Sequence, residues 1–401
     1  MADARDRHLA GLAERDRRLA YELSAGVLRR QRELDTALEL DRADPRLHDV
    51  LRLGAYQLRW LTRVPAHAAV STSVELARAT VGEESTGYVN RTLRDLQRDA
   101  GSEIRDASAS HPDWLMGRWT ARYGAAEAQR LMEWNDARPL LVLQPARWDL
   151  ERLENALAEG GLETQRAPFD AGLTLRIPHP PSRIPGFGEG AFIVQDPAHA
   201  LVARFAAIPP GGQVYDACAA PGGKAVALEA LGARVLAGDA RHERLGRLAD
   251  TTRRAGVAIH CVGANLEAAP IRPASLDAVL VDAPCSATGT MRRHPDARWR
   301  LHAAVFARSA QRQARLLAAA AQLVRPGGLL VYATCSLEPE ENEHVVESFL
   351  TQHPEFARTP RGESSLPSEL LTDAGDFQSM PQRHGIDGAY AARLVRRGNA
   401  S

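Results

Sequence analysis

The chain has 401 residues, 44% of them hydrophobic, with fifty Lys plus Arg against fifty Asp plus Glu and a formal net charge of zero; that length exceeds one ordinary core and predicts two or three domains. Balanced charge excludes a field of one sign, so any contact with nucleic acid must come from local arginine clusters. No run is apolar for long enough to span a bilayer, Met1 to Ala20 contain no apolar stretch resembling a signal peptide, and the four cysteines and thirteen histidines lack CxxC or HxxxH spacing, so reduced thiols, no metal site and a cytoplasmic setting are expected.

From about Asp16 to Leu96 apolar residues recur at intervals of three and four, as in Leu19, Leu23 and Val27 and then Leu47, Val50 and Leu51, which predicts an all-helical unit over residues 1–104. Its charges nearly cancel, and periodicity alone suits a helical scaffold with a solvated surface. Residues 105–190 change texture: short helical stretches, a strand-like Leu140-Leu141-Val142-Leu143, and a proline-rich connector from Ile177 to Pro185. In residues 191–401, apolar β-type runs alternate with helical segments at Gln213 to Tyr215, Arg234 to Ala237, Ala258 to Val262, Ala278 to Val281 and Leu329 to Ala333. Such alternation predicts a parallel sheet with helices on both faces, and ligands in such sheets sit beyond the carboxyl ends of the strands.

The first of these strands runs into Asp216-Ala217-Cys218-Ala219-Ala220-Pro221-Gly222-Gly223-Lys224, and Lys224 is the single lysine of the chain. Lysine offers a compact point charge where the planar fork of arginine would not fit. The tight turn into a helix near Ala225 exposes backbone amides to an anionic or polar group. Neither GxGxxG nor GxxxxGK[ST] is present, which weakens NAD and ATP as candidates. The second strand ends in Gly238-Asp239, an acid placed to accept both hydroxyls of a ribose. Together these features suggest a nucleoside cofactor.

Two thiols emerge on the same rim. The fourth strand runs into Asp282-Ala283-Pro284-Cys285-Ser286 and the fifth into Thr334-Cys335-Ser336, whereas Cys261, inside an apolar strand, is expected to be buried and structural. Loop cysteines flanked by small polar residues can present a stabilised thiolate. A thiolate adding to C6 of cytosine makes C5 nucleophilic towards an electrophilic methyl group. Cys335 could supply that thiolate, Asp282 a proton shared with N3, and Cys285 help in the elimination that frees product. The densest basic segment, Arg292, Arg293, Arg298 and Arg300 around Trp299, suits phosphates and an unstacked base, the alternative being a solvated loop.

The runs DACAAPGGK, DAPCSATG followed by Arg292-Arg293-His294-Pro295-Asp296, and ATCS followed by Glu338-Pro339-Glu340-Glu341-Asn342 resemble the bacterial Sun/RsmB (Fmu) family of 16S ribosomal RNA cytosine-C5 methyltransferases. Residues 17–98, including Gly54-Ala55-Tyr56-Gln57-Leu58, look like the NusB-like domain at the front of that family. The resemblance implies an α/β fold: a Rossmann-like S-adenosylmethionine-dependent catalytic domain (191–401), preceded by an all-helical NusB-like RNA-binding domain (1–104) and a small connecting α/β subdomain (105–190). It implies Cys335 as nucleophile, Cys285 as release residue and Asp282 between cofactor and base. Cys218, Ala219, Ala220, Pro221, Gly222, Gly223, Lys224 and Asp239 would contact S-adenosylmethionine. The partner implied is unassembled 16S ribosomal RNA, met by a monomer away from any membrane. One departure stands out: after the third strand the family carries an acid towards adenine, but here the sequence reads Gly263-Ala264-Asn265, so that either Asn265 replaces one hydrogen bond or adenine is held less tightly. A transfer RNA substrate and a catalytically idle RNA-binding assembly factor are the alternatives.

Overall fold

The computed structural model describes residues 9, 11–99, 110–177 and 179–398, and it divides into two compact units. The first comprises 1–138 together with Met291–Arg300, the second 139–290 and 301–401. The boundary expected near residue 105 lies outside the described residues, as does Pro178 of the proline run. The expected connecting subdomain is divided: its first two helices join the first unit, and its third helix and its strands the second.

In the first unit, α1 (Glu14–Arg29), α2 (Gln31–Ala37), α3 (His48–Trp60), α4 (Ala66–Thr80) and α5 (Thr86–Arg98) bury Leu34, Leu51, Ala55, Val89 and Leu93 in one core. On α3 the apolar positions Val50, Leu51, Gly54 and Ala55 fall on one face because they are spaced near the helical repeat. Gly26 of α1 has no room for a side chain, since a Cβ there would lie 2.0 Å from the Tyr56 ring. That close approach lets the Tyr56 hydroxyl donate to Glu22 Oε1 at 2.7 Å. Two further helices, α6 (Asp113–Tyr123) and α7 (Ala125–Asp136), complete the unit with the short turn Ala297–Arg300.

The second unit begins with a four-stranded antiparallel sheet in the order β2-β3-β1-β4, built from β1 (Val142–Pro145), β2 (Thr164–Arg166), β3 (Leu173–Leu175) and β4 (Phe192–Val194). Helix α8 (Leu150–Glu159) packs Leu153 and Leu157 against Leu143, Leu173 and Phe192. A larger eight-stranded sheet follows. Its parallel part comprises β5 (Gln213–Asp216), β6 (Arg234–Asp239), β7 (His260–Gly263), β8 (Leu276–Asp282) and β9 (Val324–Thr334). Ala278 and Leu280 of β8 enter the core beneath α9 (Pro197–Ala206), α10 (Gly223–Ala230) and α11 (His242–Ala255). Val279 and Val281 face the core of α12 (Ala303–Leu323) and α13 (Glu343–Gln352). Both faces being covered, the strand reads as a continuous apolar run.

Three strands of the larger sheet were not foreseen, nor were β2, β3 and β4 of the smaller one. β12 (Ala389–Arg396) runs antiparallel beside β9, and β10 (Phe356–Arg358) and β11 (Phe377–Ser379) pair with β12, so the sheet is mixed rather than wholly parallel. The alanine-rich, arginine-ended sequence of β12 lacks the β-branched signature of a central strand and is held by its partners. Cys261 also departs from expectation: β7 is an edge strand, and the thiol is exposed rather than buried.

Candidate active site

The order β9-β8-β5-β6-β7 reverses direction between β5 and β8, because the chain builds outward from β5 to β7 and then returns to the other side of β5. Loops diverge at such a point and leave a crevice at the carboxyl ends of the strands. Asp216, Asp239, Asp282 and Thr334 all end strands on that rim.

The loop after β5 is short because local bonds close it: Gly222 N–H donates to Ala219 O at 2.7 Å, and Ala219 N–H to Gly238 O at 2.8 Å. Gly222 has φ 111°, a conformation that side chains disfavour, and a Cβ on Gly223 would lie 2.7 Å from Gln195 Nε2. The positive φ calls for glycine at 222, a side chain at 223 would have to displace Gln195, and the helix α10 opens immediately with its amides at the rim. Burial and the neighbouring carboxylates, Asp216 first, push the Cys218 thiol up to about 12. Asp216 is wholly buried with no side-chain partner, and burial together with the charge of Asp282 raises it to about 7.

Lys224 does not stand open to solvent. It is 8% exposed, and its Nζ donates to Asp282 Oδ2 at 2.7 Å and lies 2.9 Å from His199 Nδ1. Burial alone would lower its pKa, but the Asp282 carboxylate outweighs that and the value is raised. Asp239 is nearly buried; its Oδ1 accepts the Arg241 N–H at 2.9 Å, and its Oδ2 is 3.5 Å from Arg244 Nη1. Asn265 follows β7 as foreseen, where its side-chain oxygen accepts the Glu267 N–H at 3.3 Å and caps a helical turn.

Cys285 and Cys335, fifty residues apart, meet with their sulfurs 3.2 Å apart. The hydrogen bond with Cys335 is the main reason that the Cys285 thiol lies well above its ordinary value, followed by burial and by the charges of Cys335 and Glu341. The two loops are tied together: Gly289 N–H donates to Cys335 O at 2.9 Å and Leu337 N–H to Thr288 Oγ1 at 2.8 Å. The buried groups beneath them, Glu341, Gln313, Ser286 and Ser336, were missed from sequence, although the acidic run after Thr-Cys-Ser was visible. Such a run is ordinarily a solvated turn, and only its burial marks it out.

The basic segment is placed differently from expectation. Arg298 is 0% exposed within the first unit, where it donates to Asp136 Oδ1 at 2.8 Å, Ser110 O at 3.0 Å and Asn135 O at 3.1 Å. Trp299 Nε1 donates to Leu28 O at 2.6 Å, and Arg292 lies over the Trp134 ring and bonds Arg138 O. All three side chains are engaged within the first unit rather than standing open to a partner. Arg300 is exposed, though paired with Asp296, and Arg293 is half-buried. Among the described residues, no group of three or more His, Cys, Asp or Glu could hold a metal ion, and no helix is long and apolar enough to cross a membrane.

The family model described as 16S rRNA methyltransferase RsmB/F matches residues 206–395, and that of the NusB family residues 2–98. A Synechocystis protein named "Probable ribosomal RNA small subunit methyltransferase B" is 37% identical over 96% of this chain and 92% of its own length. The ribosomal RNA small subunit methyltransferase B of Salmonella typhi is 33% identical over the same shares. The crystal structure of PH0851 superposes with a TM-score of 0.80 at 26% identity, covering 97% of this chain and 92% of that one. With that family model over residues 206–395 and relatives 33% and 37% identical over 96% of its length, the chain belongs to the RsmB/F family of 16S rRNA methyltransferases.

Proposed function

We propose that this chain methylates C5 of a cytosine in 16S ribosomal RNA through a covalent bond between Cys335 and C6 of the base. The observation that carries the reading is the pair of sulfurs 3.2 Å apart on the rim that also bears the Lys224–Asp282 pair. The residues present fit S-adenosylmethionine: Gly222 and Gly223 leave the backbone bare at the start of α10, Asp239 keeps an oxygen weakly held for ribose hydroxyls, and Cys218 to Pro221 line the turn. Asn265 stands where adenine would be met. When bound, S-adenosylmethionine supplies a methyl group on a positively charged sulfur.

Cys335 adds as thiolate to C6, and the electron pair of the C5–C6 double bond moves to C5; the methyl group taken up there would leave its bonding pair on the cofactor sulfur, which becomes a neutral thioether. Asp282 shares a proton with N3, and Lys224 steadies the charge left on the carboxylate. Cys285, having given its proton to solvent, acts as thiolate and takes the C5 proton. The C6–Sγ bond breaks, its pair restores the double bond, and Cys335 leaves as thiolate. The target base must be unstacked to reach the sulfur, which favours RNA not yet packed into a subunit. Arg300, exposed though paired with Asp296, is the basic side chain of the Met291–Arg300 segment proposed to meet its backbone. Incubation with labelled S-adenosylmethionine and bare 16S RNA tests the reading: label should be incorporated as 5-methylcytosine, and Cys335→Ala should abolish it. A Cys335→Ala protein with full activity would refute the mechanism.

A further inference from the structure

Beneath the two thiols Glu341 is fully buried, and its carboxylate accepts from both cysteine-bearing loops. Oε1 accepts the Ser286 N–H at 2.8 Å and the Gln313 side-chain amide at 3.3 Å. Oε2 accepts the Ser336 hydroxyl at 2.5 Å and the Ser286 hydroxyl. Ser286 follows Cys285 and Ser336 follows Cys335, so each loop is gripped one residue beyond its sulfur. A carboxylate has about four lone-pair sites and no donor, and these four donors match them. Gln313 of α12 also donates to Pro284 O at 3.0 Å, extending the brace to the residue before Cys285. From β9, Tyr332 donates to the Glu341 carbonyl at 2.5 Å and fixes the backbone that carries the carboxylate.

We propose that Glu341 is the positioning residue of the thiol pair: it locks the loop after β8 to the loop after β9 and so sets the separation of Cys285 and Cys335. The inference rests on reading those two cysteines as the reacting pair. The bonds from Gly289 to Cys335 O and from Leu337 to Thr288 join the loops beyond the sulfurs, whereas Glu341 holds the residue next to each sulfur, and an ångström of misplacement at a reacting atom can cost about a hundredfold in rate. A charged acceptor holding several donors is stiffer than a neutral one. An amide at this position keeps one acceptor oxygen but turns an NH2 towards two donors, so its grip is partial.

The test uses the full-length protein with Glu341→Gln and Glu341→Ala, each checked for its fold by circular dichroism. Diamide oxidises the thiols: each sulfur loses its proton, the Sγ–Sγ bond forms, and the diazene takes up two electrons and two protons to become the hydrazine. The rate of the Cys285–Cys335 cross-link, read by peptide mass spectrometry, reports how well the pair is held. Relative to the unaltered chain the rate should fall about threefold in Glu341→Gln and about tenfold or more in Glu341→Ala. The kcat for methyl transfer should fall in the same order while KM for S-adenosylmethionine stays within about twofold. A wild-type cross-linking rate in Glu341→Ala overturns the proposal. Should that variant fail to fold, Ser286→Ala removes the hydroxyl's bonds to Glu341 and Ser336 but keeps the backbone N–H bond, and should slow cross-linking about threefold, an unchanged rate again being fatal. If the unaltered chain methylates no ribosomal RNA yet the cross-linking series holds, the methyltransferase reading fails and the clamp stands.

Discussion

Arg298→Ala separates a structural arginine from an RNA contact. The guanidinium is 0% exposed and satisfies one carboxylate and two carbonyls, and burial lowers its pKa even against the opposing pull of Asp136. Truncation strands the Asp136 carboxylate, itself nearly buried, with Arg30 at 3.8 Å and the Ser110 hydroxyl at 2.5 Å as remaining partners. Removing one partner of a buried ion pair costs about 3–5 kcal/mol, since the survivor keeps its desolvation penalty. For a unit of this size each kcal/mol lowers the melting temperature by about 2–4 °C, so a fall of roughly 6–20 °C is expected. Arg298→Met combined with Asp136→Leu should recover most of it, because an apolar pair of similar volume leaves no orphan charge. Thermal unfolding followed by circular dichroism gives the first number and RNA filter binding at two salt concentrations the second. An Arg298→Ala protein that melts within about 2 °C of the parent and loses RNA affinity with a shallower salt slope would refute this reasoning and restore the arginine to the RNA surface.

Three more outcomes follow from the site. Asp216 has a folded-state value near 7, above the ordinary 3.8, so the unfolded chain sheds its proton first; stability is greatest below about pH 4 and is lost as pH rises towards 7. From pH 5 to pH 8 that loss is about 3 kcal/mol at most, and Asp216→Asn should remove it; urea midpoints that fall equally in both proteins would exclude Asp216 as its source. Lys224→Arg should lower methyl transfer at least about tenfold and melting by a few degrees, since the longer fork overpacks the space between His199 and Asp282; full activity would mean that the isolation of this lysine carries no chemical meaning. Cys285→Ala should accumulate a protein–RNA adduct that survives denaturant on a gel, and free turnover without any adduct would remove Cys285 from product release.

What was legible in the sequence is what local chemistry dictates. Glycines at 222 and 223, a strand before them and a helix after them fix a bare turn whatever surrounds it. Asp239, Asp282, Cys285 and Cys335 could be placed on one rim because an alternating strand-helix pattern sends the end of each parallel strand to the same edge. Tertiary structure decided whatever depends on distant partners. Arg298 meets Asp136 across 162 positions, and the same arginine in a loop would be solvated. Cys261 is exposed because no strand covers β7, and β12 is a strand because β9 offers it an edge. Lys224 finds Asp282 58 positions away, and Glu341 grips Ser286 across 55. An isolated charge shows only its type in a sequence; whether it is buried, and what satisfies it there, is settled by groups that folding alone brings within hydrogen-bonding reach.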